Sequence, residues 1–207
     1  MAGVALAASA HALETALGQP RERDGFVWVD VRLDEVLAPR VRESLARGMP
    51  ATLTLHSELW RRRNGWFDRL EEGYDSSIRI RYDVWDQTYR IDRLGRPTQS
   101  LQGLDSVEAA LRGPFTVRAG RVGSLRPQAR YYVVVSSTLK PLSVEDVAEV
   151  EGWLSGEVED KRRAGAGVVT QLPRAMFDAV RNFSGFGDQR SRVASDDFEL
   201  ADLFDGR

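Results

Sequence analysis

The run Trp60-Arg61-Arg62-Arg63-Asn64-Gly65-Trp66-Phe67 gathers two indoles, three guanidinium groups and a phenyl ring around an Asn-Gly pair. A guanidinium stacks on an indole face and presents a forked set of donors that suits carboxylates, phosphates or bases. Asn-Gly is a strong signal for a type I′ hairpin, because both residues tolerate positive φ. The sequence therefore predicts a tight turn at Asn64-Gly65 with Arg63 opposite Trp66. Arg79, Arg81 and Arg90 extend the basic surface along the polar face of the strands that follow. Trp60, Arg62, Trp66, Arg79, Arg81 and Arg90 are the candidate binding residues, for a protein or a small anionic ligand. The plainer and commoner reading is a charged outer sheet face, with Asp83 and Asp92 forming cross-strand pairs and the tryptophans capping the core edge.

Other chemistry is sparse. The histidines are His11 and His56, and His56 shares a strand face with Thr54 and Glu58, the pattern of a solvent-facing strand histidine. There is no H-E-x-x-H, no calcium loop and no G-x-S-x-G elbow. Gly165-x-Gly167 follows a charged run and opens no convincing helix, so it is no phosphate loop. Without cysteine there is no disulfide, thiolate metal site or cysteine nucleophile. No catalytic residue, metal or cofactor is assigned. Carboxylates on facing strands, such as Asp83 with Asp92, leave a hydrolase-type enzyme as the alternative. A net charge of −2 provides no whole-protein field toward nucleic acid or anionic membrane. A cytoplasmic protein that meets nucleic acid through the arginine-bearing strands is a third reading. No stretch approaches the roughly 18 apolar residues of a spanning helix.

These residues need a scaffold, and alternation supplies it. Val27, Val29, Val31 and Leu33 alternate with polar neighbours, as do Ala51, Leu53, Leu55 and Leu59. Ile78, Ile80, Tyr82 and Val84, then Tyr89, Ile91 and Leu94, continue an antiparallel meander over 51–94. The continuous run Tyr131 to Val135 predicts a central strand buried on both faces. Leu53, Leu55, Ile78, Ile80, Tyr82, Val133 and Val135 should share a core. Helices are expected at 38–47, with Pro39 in the first turn, at 105–112 behind a capping box Asp105-Ser106-Val107-Glu108, and at 143–155. The fold class is α+β: mainly antiparallel β, sandwich-like, with three covering helices and a flexible C-terminal tail. The domain spans 26–156. Residues 157–207 read as a linker, a short amphipathic helix carrying Met176, Phe177, Val180 and Phe183, and a polar tail.

Residues 1–25 read as a possible signal-peptide remnant and linker. Gly3 to Ala12 resembles an apolar core ending in a cleavage site, Ala10-His11-Ala12 having the small-x-small form. The competing reading is a native alanine-rich helix over 2–17. A signal remnant would make the protein extracytoplasmic, periplasmic or secreted; otherwise it is cytoplasmic.

The order of segments resembles an uncharacterised bacterial family, domain-of-unknown-function family 4390. The residues that carry this are Val29-x-Val31-x-Leu33, Leu53-x-Leu55-x-Ser57-Glu58-Leu59-Trp60-Arg61 and Trp66-Phe67-Asp68. Arg79-x-Arg81-Tyr82-Asp83, Gln87-x-Tyr89-Arg90-Ile91 and Leu104-x-Ser106-Val107-Glu108-Ala109-Ala110-Leu111 follow. Tyr131-Tyr132-Val133 and Leu139-x-Pro141-Leu142 close the match. The resemblance covers roughly 26–156. It implies a short exported bacterial protein, brings no catalytic residues, and fits a non-catalytic binding or envelope-assembly domain.

Overall fold

In the computed structural model the described residues are 13–63, 65–141 and 189–204. Strand β4, Ala51–Arg61, sets the frame. Its alternation puts Ala51, Leu53, Leu55, Ser57 and Leu59 inside, each almost fully buried, and its threonines, His56 and Glu58 outside. On one side β4 pairs with β5, Arg69–Asp83, and on the other with β9, Tyr131–Pro141. With β6 (Thr88–Arg93), β7 (Gln99–Leu101) and β10 (Gln189–Ala194), these form an antiparallel sheet in the order β10-β9-β4-β5-β6-β7. Strand β9 is interior to that sheet, and Tyr131 to Val135 are buried on both faces, as the unbroken apolar run predicts.

The second sheet is built on β3, Phe26–Asp34. Its one edge carries β1 (Glu14–Leu17) and β2 (Arg21–Arg23) in succession, and its other edge carries β8 (Phe115–Arg121). Gly18 lies between β1 and β2 and donates its N–H to the Asp30 carbonyl at 2.8 Å, so the ladder barely breaks there. Val27, Val29, Val31 and Leu33 face the same core as Leu53, Leu55, Ile78, Ile80, Val133 and Val135, and Tyr82 packs at its margin. Strand β8 crosses close over β4. A Cβ on Gly120 would lie 2.3 Å from a Leu59 methyl, so any larger residue there would force the buried Leu59 side chain to move.

Among the described residues, two α-helices close the core. Helix α1, Pro39–Ala46, starts on Pro39 and buries Val41 and Leu45. Helix α2, Leu104–Leu111, buries Val107 and Leu111. The expected capping box does not form: Gly103 occupies the cap position with no side-chain bond. Arg42 takes its carboxylates instead, donating to Glu108 at 2.6 Å and to Asp105.

Two boundaries differ from expectation. The stretch 18–25, read as a linker, contributes β2, and Leu13 is already in the core. The polar tail is corrected too: Gln189–Ala194 is the edge strand β10, and beyond it Ser195 and Phe198 bond back to Val133 and Tyr131. Its sequence hid this because an edge strand needs only small half-buried contacts, here through Ser191 and Val193. The third helix at 143–155, the amphipathic segment at 176–183 and the signal-like residues 1–12 lie outside the described residues.

Candidate functional site

A turn closes at the predicted place, between Arg63 and Trp66, but the strands do not pair up to it and a longer connection surrounds it. Strand β4 ends on Arg61, which pairs with Arg69, and the chain between them runs through 62–68. An irregularity at Leu59/Trp60 sets Leu59 opposite Glu72 but Trp60 opposite Leu70, which shifts the register before the turn is reached. Arg63 therefore does not face Trp66 across a ladder. The Trp66 N–H reaches the Arg63 carbonyl at 3.4 Å, with Gly65 at φ +76 between them.

Side chains, more than backbone pairing, hold this connection. Arg61 turns inward to Glu71 at 2.8 Å. The Arg62 N–H donates to the Arg130 carbonyl at 2.8 Å, its guanidinium lies 5.0 Å from the Tyr132 ring centre, and its Nε donates to Asp197 at 2.5 Å. Asp68 accepts the Arg63 N–H at 3.2 Å and the Tyr132 hydroxyl at 2.9 Å. Apart from the Arg63–Asp68 bond inside the connection, these contacts draw its polar groups back onto the body of the protein. Trp66 and Phe67 are left projecting, 75% and 73% exposed.

Trp60 behaves in the opposite way. It is 5% exposed and lies parallel to Tyr132, ring centres 6.5 Å apart, in a small apolar cluster with Val134 and Leu70. Its indole N–H donates to Glu58 at 3.0 Å. Glu58 also receives Arg192 of β10 at 2.6 Å and approaches His56 Nε2 at 3.2 Å, while His56 Nδ1 meets Asp75 of β5 at 2.6 Å. The contacts to Glu58, and then Asp75, push the imidazole up to about 9 against the opposing effect of burial. Burial pushes Glu58 up, yet the hydrogen bonds from His56 and Trp60 and the charge of Arg192 hold it below the usual carboxylate range.

The arrangement is thus an imidazolium clamped between two carboxylates, a charge ladder across β10, β4 and β5. A general base near neutral pH needs a free imidazole, and a general acid needs a raised carboxyl. His56 and Glu58 are shifted the wrong way for both roles. Ser136 stands opposite His56 on β9, but its buried Oγ makes no hydrogen bond and both ring nitrogens are already engaged. Among the described residues no group of three or more histidine, cysteine or acidic side chains could hold a metal ion.

The six candidate residues do not converge. Arg79 pairs across from Thr52, eight positions along β4 from Trp60, roughly 25 Å at strand rise. Arg81 binds Asp92 at 3.1 Å, and Arg90 binds Asp83 and Asp86 at 2.8 Å each. The postulated Asp83–Asp92 carboxylate pair is therefore two separate ion pairs to arginine. Asp83 also accepts the N–H groups of Trp85 at 3.0 Å and Asp86 at 3.3 Å, which hold it below the usual range and fix a turn from which Trp85 protrudes, 91% exposed. The residues that sequence reasoning missed are Phe67, Tyr132, Asp75 and Arg192. Phe67 was visible beside Trp66; the other three depend on register and on a strand far along the chain.

Fold and surface together define a mainly antiparallel β protein with an internally neutralised outer face and an anchored aromatic loop at one end. The family model described as Domain of unknown function (DUF4390) matches residues 12–144, and the chain belongs to that family. The match spans β1 to β9. No curated protein and no solved structure matches the chain. Among the described residues, no helix is long and apolar enough to cross a membrane.

Proposed function

We propose that this protein is a non-catalytic bacterial binding or envelope-assembly domain that works outside the cytoplasm, and that the connection over 62–68 is its recognition surface. The observation that carries this is the pair Trp66–Phe67, exposed side by side on a loop that Arg62 and Asp68 tie back to the body of the protein. Exposed large aromatics on a fixed loop lose little conformational freedom when they are covered, which favours binding. The two sheets around one core serve as a sandwich-like support for the loop. The extracytoplasmic part of the reading rests on the signal-like run Gly3 to Ala12.

A photoreactive amino acid placed at Phe67 of the full chain, expressed in a bacterial host, tests the surface. It should form an adduct with an envelope component, lipid or protein, while the same group at Thr52 should not; equal or absent labelling at the two positions rejects the reading. Fractionation with sequencing of the mature N-terminus tests export. A processed end near Leu13 is expected, and cytoplasmic protein retaining Met1 rejects it.

A further inference from the structure

We infer that the occupant of this surface is a phospholipid bilayer with anionic headgroups, into whose interfacial layer Trp66 and Phe67 dip. The inference rests on the reading of 62–68 as a recognition surface and deepens it by naming the partner.

Shape gives the first reason. Protein hot spots lie in close-packed pockets that receive an anchor. Here the two rings project from a loop tip, exposed by about three quarters each, so a protein partner must bring a matching cavity. The interface of a bilayer needs no such cavity, and it is the zone where tryptophan concentrates, apolar ring on one side and polar N–H on the other.

Local charge gives the second reason. The acids beside the loop are already committed: Asp68 to the Arg63 N–H and the Tyr132 hydroxyl, Glu71 to Arg61. Arg63 is exposed and has no ion pair among the described residues, and Arg69, mostly exposed, comes no closer than 4.0 Å to Glu71. Two guanidinium groups thus flank the aromatic tip with spare donors, the complement of phosphate headgroups. The whole-chain charge of −2 adds no attraction, so the contact depends on these few residues.

The third reason is rigidity. The loop is held from behind by Arg62, Asp68 and Tyr132, so the backbone that carries the rings is anchored on both sides before contact.

The test is co-sedimentation of the full chain with vesicles of phosphatidylcholine alone and of phosphatidylcholine with phosphatidylglycerol. The wild type should partition onto both, more strongly onto the anionic vesicles, and added salt should erase the difference. Trp66→Ala/Phe67→Ala should weaken partitioning by about tenfold or more, since binding scales with the apolar area inserted. Arg63→Ala/Arg69→Ala should lower binding to the anionic vesicles alone. Trp85→Ala, at the far end of β5, should change nothing. All the altered side chains are exposed, so the variants should keep the wild-type circular dichroism. Absent partitioning, full retention in the Trp66/Phe67 variant, or an equal loss in Trp85→Ala each overturns the lipid assignment. If vesicles bind nothing but the photoreactive group at Phe67 labels a protein, the binding reading stands and the lipid falls; if neither occurs, both fall.

Discussion

The two ends of β5 each display an aromatic tip, and they are built differently. At the Arg69 end the connection over 62–68 is held by contacts that reach far along the chain: Arg62 to Asp197, Asp68 to Tyr132, and Arg62 N–H to Arg130. At the Asp83 end the turn Val84 to Gln87 is held by its own neighbours, Asp83 accepting two backbone N–H groups and Arg90 reaching Asp83 and Asp86. The first tip inherits the stability of the sheet. The second is as stable as a local turn. An exposed aromatic on a short self-contained turn needs no functional explanation, whereas a pair held by long-range contacts is a costlier arrangement to keep.

The contrast can be broken at its base. Leu55→Ala empties a fully buried site between the sheets and should lower stability by about 2–5 kcal/mol, loosening the first tip with the sheet. Urea unfolding followed by circular dichroism measures it, and a loss below about half a kcal/mol would mean that this face is not core. Asp68→Ala should cost less, about 1–3 kcal/mol, because the Tyr132 hydroxyl and Arg63 N–H lose their acceptor. The same replacement at Asp83, whose backbone partners Trp85 and Asp86 are solvent-exposed, should leave the unfolding midpoint nearly unchanged.

The outer face behind the first tip adds a pH dependence. His56 is raised from an ordinary 6.5 to about 9, so its ion pairs stabilise the fold fully below about pH 6.5 and are lost as pH rises through about 9. The unfolding midpoint should fall across that alkaline window in the wild type and stay flatter there in His56→Gln. A slope that persists in the variant would assign the effect to other groups. The finest test is amide exchange. The Arg62 and Arg63 N–H groups, bonded to the Arg130 carbonyl and Asp68, should exchange more slowly than those of Trp85 and Asp86, and Asp68→Ala should erase the protection at Arg63.

Much of the scaffold is legible in the residues. Period-two alternation places β3 and β4 within a residue or two, Pro39 places α1, and the unbroken run from Tyr131 marks β9 as interior. What cannot be read is whatever depends on pairing register. Asn64-Gly65 promises a two-residue hairpin, but the irregularity at Leu59/Trp60 and the pull of Glu71 on Arg61 lengthen the connection. Asp75 joins His56 only because those two positions pair directly. The six candidate residues form one group in the sequence, yet the long β5 carries Arg79 and Arg81, and the following β6 carries Arg90, away to the opposite end of the sheet.

Strand β10 lies beyond the span that the family model matches, yet it completes the sheet by pairing with Val134 to Leu139 of β9. A fragment ending near residue 144 would leave one flank of β9 open along Val133, Val134 and Val135. Such a β-branched, uncharged run with unpaired amides and carbonyls is a template for intermolecular stacking. A truncated preparation would therefore tend to self-associate and precipitate, and Gln189–Ala194 acts as a tethered shield that keeps the molecule colloidally stable.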